Sequence, residues 1–456
     1  MTSAFDAIII GAGQAGPALA GRLTGAGQKV AVIERHLFGG TCVNTGCMPT
    51  KALVASAYAA HLAARAGEYG VEIDGPVRVD MKKVHARSAA VSDTARANVE
   101  KWLRGMEGCT VIQGHARLEG PDRVRVGDAV LTAPRIFLNV GGRASVPDMP
   151  GLDAISFLTN VSILALDTLP AHLVVIGGSY IGLEFAQMFR RFGARVTVVE
   201  HGPRLIARED EDVSASVREI LEGEGIAVHT GVTSIAFAPH AGGAMVTLGG
   251  DIEVEASHVL LAVGRRPNTD DLGLEAAGVK TDARGFITVD DSLATTVPGI
   301  YAMGDCNGRG AFTHTAYNDF EIIAANLLDG ADRKVSDRLV GYALYIDPPL
   351  GRVGMTEAQA RAAGRPLLVG KRPMTRVGRA VEKGETLGFM KMVVDAQTQK
   401  ILGAAFLGTG GDEAIHGVLD MMNADVLYTT LQWAVPIHPT VSELIPTILT
   451  EMKPAG

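Results

Sequence analysis

"FDAIIIGAGQAGPALAGRLTGAGQKVAVIE" (residues 5–34) and "LVVIGGSYIGLEFAQMFRRFGARVTVVE" (residues 173–200) follow one plan. Each opens with a short apolar strand, turns at a glycine cluster, continues as a helix and closes on a second apolar strand ending in glutamate. The acid lies eighteen residues after the last glycine in both, Gly16 to Glu34 and Gly182 to Glu200. A Gly-x-Gly-x-x-Gly alone arises by chance in loops; between strand and helix, with a strand-end acid, it marks a dinucleotide site. The spacing has a physical reason. Gly11 makes the tight turn, Gly13 lets backbone approach a pyrophosphate, and Gly16 lets the helix pack against the strand. The pyrophosphate then meets the positive end of a helix, and Glu34 accepts a hydrogen bond from a ribose hydroxyl. In the second copy Gly177 and Gly182 hold the outer positions and Ser179 stands at the middle one. Its small side chain predicts a weaker or shifted contact. Two copies predict two doubly wound sheets and two bound dinucleotides.

Working outward, a chain of 456 residues predicts two or three domains. The segment "RIFLNVGGRASVPDMPG" (135–151) reads as a strand and a Gly/Pro turn, a crossing between domains near residue 150. "HVLLAVGRRPN" (258–268) reads as a strand ending in Gly264, and "GIYAMGDC" (299–306) places Asp305 at a strand's carboxyl end, where ligands gather in open α/β sheets. Helical patterns cover 50–66, 80–107, 412–424 and 441–452. Beyond about residue 336 strand-like pieces precede helix-like ones, an α+β texture. The net charge of −8 argues against a nucleic-acid-binding surface. No apolar run reaches the length of a membrane span, and the amino terminus lacks a signal-peptide pattern. A cytoplasmic protein is expected, where stable structural disulfides are uncommon.

That expectation bears on "GGTCVNTGCMPTK" (39–51), which holds two of the four cysteines, five residues apart. On an irregular helical turn such a pair can bring its Cα atoms within roughly 4.4–6.8 Å, the bridging range. The Ala/Leu-rich sequence that follows puts the pair near a helix N-terminus, which favours thiolate. A thiolate attacks a disulfide or binds a soft metal. Cys42 and Cys47 therefore read as reactive, whereas Cys109 and Cys306 have no such setting.

The cysteine stretch, the two nucleotide motifs, "AMGDC" (302–306) and "HPTVSE" (438–443) together resemble the FAD-dependent pyridine nucleotide–disulfide oxidoreductases. The resemblance covers nearly the whole chain. Within that family "DPPLGRVGMTE" (347–357) and "HPTVSELIPTIL" (438–449) look closest to the mercuric-reductase-like branch. It implies an α/β fold of two doubly wound dinucleotide-binding domains, for FAD and NAD, plus a C-terminal α+β dimerisation domain. The expected boundaries are 1–150 with 265–335 for FAD, 151–264 for NAD(P), and 336–456 for dimerisation.

The resemblance also implies roles. Cys42 is the interchange thiol facing substrate, and Cys47 faces the flavin in a charge-transfer complex. Gly11, Gly13, Gly16 and Glu34 hold the adenosine diphosphate half of FAD. Thr41 lies by the cofactor and Lys51 near the isoalloxazine, with Glu184 as the partner of Lys51; each of that pair would be costly to bury alone. Ala116, Gly142, Asp305 and Thr313 match further FAD positions. Gly177, Gly182, Glu200 and Gly264 belong to the nicotinamide dinucleotide. A carboxylate at Glu200 favours the 2′-hydroxyl of NADH over the phosphate of NADPH, though His201 and Arg204 could soften that choice and admit NADPH.

His438 and Glu443 match an acid–base pair. Imidazole titrates near neutrality, and a carboxylate fixes its tautomer. In the family this histidine reaches the other subunit's disulfide, so a homodimer is expected. The apolar face of Leu444, Ile445, Ile448 and Leu449 is expected to pair the subunits. No resident metal is expected. Three activities fit: reduction of a small disulfide or thiol-reactive oxidant; reduction of a metal ion without the tail cysteine pair of mercuric reductases; or a flavin-bearing redox sensor or complex subunit.

Overall fold

The structure, a computed structural model, describes residues 2–455. A five-stranded parallel sheet is built around strand Ala7–Ile10, in the order Ile300–Ala302, Ile136–Leu138, Ala7–Ile10, Val30–Glu34, Cys109–Gln113. Its central strands are buried on both faces and apolar throughout, as parallel sheets covered by helices require. A four-stranded parallel sheet repeats the scheme around His172–Ile176, flanked by Arg195–Val199 on one side and His258–Leu261 on the other. In both sheets the acid-bearing strand thus pairs with one edge of the opening strand, and a late strand with the other. The helices Ala15–Gly25 and Tyr180–Phe192 follow the two glycine turns.

The antiparallel pair Gly142–Ala144 and Arg265–Pro267 lies where the chain leaves the first sheet and where it returns. Between these strands lie the whole second parallel sheet and the three-stranded antiparallel sheet Ile235–His240, Gly243–Leu248, Ile252–Ala256. The remaining chain forms a six-stranded antiparallel sheet, in the order Gly341–Leu344, Leu350–Gly354, Ile401–Leu407, Phe389–Asp395, Leu367–Pro373, Lys453–Pro454. Helix Gly411–Asn423 packs on it.

One expectation is corrected here. The closing segment is a single 3-10 turn, Ser442–Leu444, followed by the short helix Ile445–Thr450. Its apolar face does not point away from the protomer. Ile445, Ile448 and Leu449 are buried in the protomer's own core with Met390, Met392 and Phe406. The helix lies on strands Leu367–Pro373 and Phe389–Asp395, so closely that a Cβ on Gly370 would sit 2.5 Å from the Ile448 carbonyl oxygen. The exposed apolar residues lie just upstream instead: Trp433 (77 %), Val435 (97 %) and Ile437 (79 %).

Candidate active site

The first glycine turn has the backbone its residues demand. Gly11 adopts φ +105°, and a Cβ there would fall 2.3 Å from the Asn139 carbonyl oxygen. A Cβ on Gly16 would fall 2.4 Å from the Gly11 oxygen, so that glycine serves helix–strand packing. At Gly13 the nearest neighbour of such a Cβ is 3.4 Å away, an ordinary contact. The protein itself barely requires glycine at 13; a ligand resting on that backbone would. Glu34 accepts the Ala12 N–H at 2.9 Å on one oxygen and the His36 N–H at 2.8 Å on the other. Each oxygen keeps a second lone pair for a ribose hydroxyl.

The second turn copies these bonds. Gly177 has φ +116°, and a Cβ on Gly182 would meet the Gly177 oxygen at 2.1 Å. Glu200 accepts the N–H groups of Gly178 and Gly202, both at 2.6 Å. Ser179 is extended and exposed at the helix start and makes no capping bond, which leaves its hydroxyl for a ligand. Gly264, at φ +118°, has open space on its Cβ side.

Cys42 lies in the short helix Gly40–Asn44, the chain breaks at Thr45–Gly46, and Cys47 begins the helix Cys47–Ala64. The Asn44 side chain donates to the Phe38 and Gly40 carbonyls at 2.9 Å each, and Asn160 donates to the Thr45 carbonyl at 2.9 Å. Both thiols are free. The Cys47 pKa is brought down to about 6, chiefly by the hydrogen-bonding influence of the neighbouring Cys42 thiol. The Thr313 hydroxyl, 3.4 Å from the Cys47 sulfur, and the charge of Lys51 add to this against the cost of burial. Cys42 is pushed far up by the same influence and by burial. The pair therefore carries its charge on Cys47 and its proton on Cys42.

Lys51 Nζ lies 2.7 Å from Glu184 Oε2 and 4.4 Å from the centre of the Tyr345 ring. The other Glu184 oxygen accepts the Tyr345 N–H at 3.0 Å. This ion pair joins the cysteine helix to the helix of the second glycine turn. Asp305 opens a 3-10 turn after strand Ile300–Ala302. Burial raises its pKa against the pull of Arg265, whose Nε is 3.3 Å from the carboxylate. A Cβ on Gly142 would lie 3.7 Å from the Asp305 Cβ, which puts the two side by side. Ala116 is placed differently, in the hydrophobic core around the first sheet.

His438 Nδ1 is 2.8 Å from Glu443 Oε2. The imidazole is 80 % exposed and the carboxylate 14 %. Among the described residues no hydrogen bond or ion pair joins His438 to either cysteine of its own protomer. Burial pushes the Cys306 thiol up to about 12 and leaves it donating to backbone carbonyls. Sequence reasoning missed Asn139, Asn160, Arg265 and Tyr345. Asn139, a polar residue at the end of an apolar strand, is the one whose pattern was visible.

Residues 5–319 match the model of the pyridine nucleotide-disulphide oxidoreductase family, and residues 340–448 match that family's dimerisation domain. The chain is 34 % identical to the probable pyridine nucleotide-disulfide oxidoreductase RclA of Escherichia coli, covering 98 % of this chain and 99 % of that one. It is also 34 % identical to a mercuric reductase of Streptomyces lividans (95 % and 93 % covered) and to a dihydrolipoyl dehydrogenase of Rhizobium etli (97 % of each). Among solved structures, the HOCl-induced flavoprotein disulfide reductase RclA from E. coli superimposes with a TM-score of 0.89 at 34 % identity, over 98 % of this chain and 99 % of that one. Its Cu(II) complex superimposes with a TM-score of 0.91 at 33 % identity over the same shares.

Proposed function

The chain belongs to the pyridine nucleotide-disulphide oxidoreductase family, and from that premise we propose that Cys42 and Cys47 form its redox-active pair, serving a small disulfide or thiol-reactive oxidant. It is an FAD- and NAD(P)H-dependent oxidoreductase. Gly11, Gly13, Gly16, Glu34, Thr41, Lys51, Gly142, Asp305 and Thr313 would hold FAD, with Ala116 contributing only backbone and Glu184 partnering Lys51; Gly177, Gly182, Glu200 and Gly264 would hold the nicotinamide dinucleotide. When bound, FAD would supply two-electron transfer between the nicotinamide and the Cys42–Cys47 disulfide.

Cys47 opens the helix that carries Lys51 and lies 3.4 Å from the Thr313 hydroxyl, a setting that favours thiolate, and that placement carries this reading. As the Cys42–Cys47 bond breaks, Cys47 keeps the charge, held by Thr313 and Lys51, and Cys42 takes the proton. A base must then free Cys42 to attack the substrate disulfide. His438, oriented by Glu443, has the chemistry for it. The same imidazole returns the proton to the departing thiol. Cys47 next attacks Cys42, releases the second thiol and restores the disulfide; two electrons and two protons convert one disulfide into two thiols.

Because His438 faces solvent in the protomer, we assign it to the disulfide of a partner subunit in a homodimer, with Trp433, Val435 and Ile437 as the covered surface. A pair that must cycle through its reduced form suits the cytoplasm. No described helix is long and apolar enough to cross a membrane. NADH is the favoured donor: Glu200 would face the ribose, while Arg204 is turned onto the carbonyls of Ala207 and Glu209 and His201 bonds the Val232 carbonyl.

Cu(II) complexes of RclA favour a second reading, in which a metal ion is the acceptor. Among the described residues no group of three His, Cys, Asp or Glu is placed to hold a metal ion, so in this reading the ion would be met by the two thiols with the imidazole assigned to the partner subunit. Anaerobic stopped-flow oxidation of the NADH-reduced enzyme separates these. Rapid reoxidation by a small disulfide or hypochlorite-derived oxidant, lost in Cys42→Ser, is expected. Reoxidation by Cu(II) or Hg(II) alone would replace the first reading with the second, and no acceptor at all would leave a redox sensor.

A further inference from the structure

The two dinucleotide turns share the backbone bonds that seat them on their strands and differ in the side chain beneath them. In the first, Gly11 N–H donates to Ile33 O at 2.7 Å and Asn139 N–H to Ile10 O at 2.8 Å. In the second, Gly177 N–H donates to Val199 O and Ala262 N–H to Ile176 O, both at 2.8 Å. The Asn139 oxygen would sit 2.3 Å from a Cβ on Gly11, and the Ala262 oxygen 2.4 Å from one on Gly177. Asn139 and Ala262 are therefore equivalent positions, each at the end of the strand beneath its turn.

Their side chains differ in what they can do. Asn139 is 7 % exposed, and its Nδ2 donates to both the Gly11 and Gly13 carbonyls at 3.2 Å. That amide also fills the space beside the third glycine, 2.9 Å from where a Cβ on Gly16 would be. The first turn is held from two sides, by the Asn139 amide on its carbonyls and by the Glu34 carboxylate on the Ala12 N–H. Ala262 offers a methyl group, which donates nothing, so the second turn keeps only the carboxylate half of the clamp.

Across a trans peptide the carbonyl and the next N–H point opposite ways. The Gly13 oxygen accepts both the Gly16 N–H at 3.0 Å and the Asn139 amide at 3.2 Å, so Asn139 adds a second hold on a peptide whose Gln14 N–H lies on the opposite side, where an unpaired first-turn N–H meets a phosphate. A turn held in its bound form before the ligand arrives loses less freedom on binding and releases the ligand more slowly. We infer that Asn139 is a positioning residue that pre-organises the first turn and makes the flavin a resident group, whereas Ala262 leaves the second turn to be ordered by each incoming nicotinamide dinucleotide. This rests on the reading that FAD occupies the first turn.

The test is FAD release from holoenzyme, followed by flavin fluorescence, and its rebinding to the stripped protein. Asn139→Ala gives the first turn the side chain of the second; Asn139→Asp keeps the size and removes the donor. Both should release FAD faster, with affinity roughly tenfold weaker for Asn139→Ala, the loss expected for two neutral hydrogen bonds. Association rates should change little. Gly13→Leu, which obstructs the turn itself, separates the two readings. If it abolishes FAD binding while both Asn139 variants release FAD at the wild-type rate, the role of Asn139 is overturned and the placement of FAD stands. If Gly13→Leu binds FAD normally, the placement falls and the inference with it. Lower melting temperatures in the Asn139 variants without faster release would make Asn139 a structural residue only.

Discussion

The neighbouring Cys42 thiol is the largest influence bringing the Cys47 pKa down to about 6. Because the pKa is lowered, thiolate is present above it and is lost as pH falls through it. The long-wavelength absorbance of the two-electron-reduced enzyme should therefore fade as pH drops through about 6. Cys47→Ser should abolish the band. Cys42→Ala and Cys42→Ser have no disulfide to take electrons, so their band is read with the flavin oxidised; Cys42→Ala should move its midpoint upward, and Cys42→Ser, which keeps a hydroxyl donor, should leave it nearer wild type. A midpoint unmoved by Cys42→Ala would mean the helix start and Lys51 set the acidity alone. At Glu200 the prediction concerns charge. Glu200→Ala removes the carboxylate proposed to meet the 2′ position and should shift the ratio of kcat/KM for NADPH over NADH upward, by about tenfold if relief of repulsion is worth ~1.4 kcal/mol. The pattern of glycines and acids placed Glu34 and Glu200 correctly at their strand ends, yet it could not show that backbone N–H groups already hold both oxygens of each. Those bonds come from chain segments that meet only after folding.

The closing helix shows what helical spacing can and cannot decide. Leu444, Ile445, Ile448 and Leu449 form one face, and spacing says that such a face is covered. It does not say by what. The six-stranded sheet of the same protomer covers it, because strands Leu367–Pro373 and Phe389–Asp395 present an apolar surface directly beneath. Ile448→Ala should therefore cost about 2–5 kcal/mol of protomer stability, read from chemical denaturation, and leave the assembly state of the remaining folded protein unchanged. Ile437→Ser, at a residue 79 % exposed in the protomer, should do the reverse: weaken the dimer in sedimentation velocity without a core-sized loss. Equal effects of the two on assembly would return the closing helix to the interface. The strap itself was hard to read from sequence, since "LQWAVPIHP" (431–439) has no regular period.

At the scale of the whole molecule, the Lys51–Glu184 pair joins the cysteine helix to the second dinucleotide unit. The His438–Glu443 pair, in contrast, is formed but faces outward. An acid–base pair assembled in the protomer and left exposed suits a site completed by another copy, in a closed twofold dimer with two composite sites. Inactive Cys42→Ser protein mixed with inactive His438→Ala protein, under conditions that exchange subunits, should regain partial disulfide reductase activity. One site of each mixed dimer would then hold both intact halves. Verified heterodimers with no activity would put the histidine and cysteines in one subunit.

By itself the sequence located the two glycine turns, the Cys42/Cys47 pair and the His438–Glu443 pair five residues apart. Each is local: glycine, cysteine and histidine chemistry read over a few residues, where covalent geometry and spacing limit what the chain can do. Only the tertiary structure decided that Asn139 reaches back more than a hundred residues to grip the Gly11–Gly13 turn, that Thr313 stands against Cys47, and that the closing helix is core rather than interface. Those are contacts between distant segments. Their partners are chosen by how the sheets pack, and no periodicity within either segment records the choice.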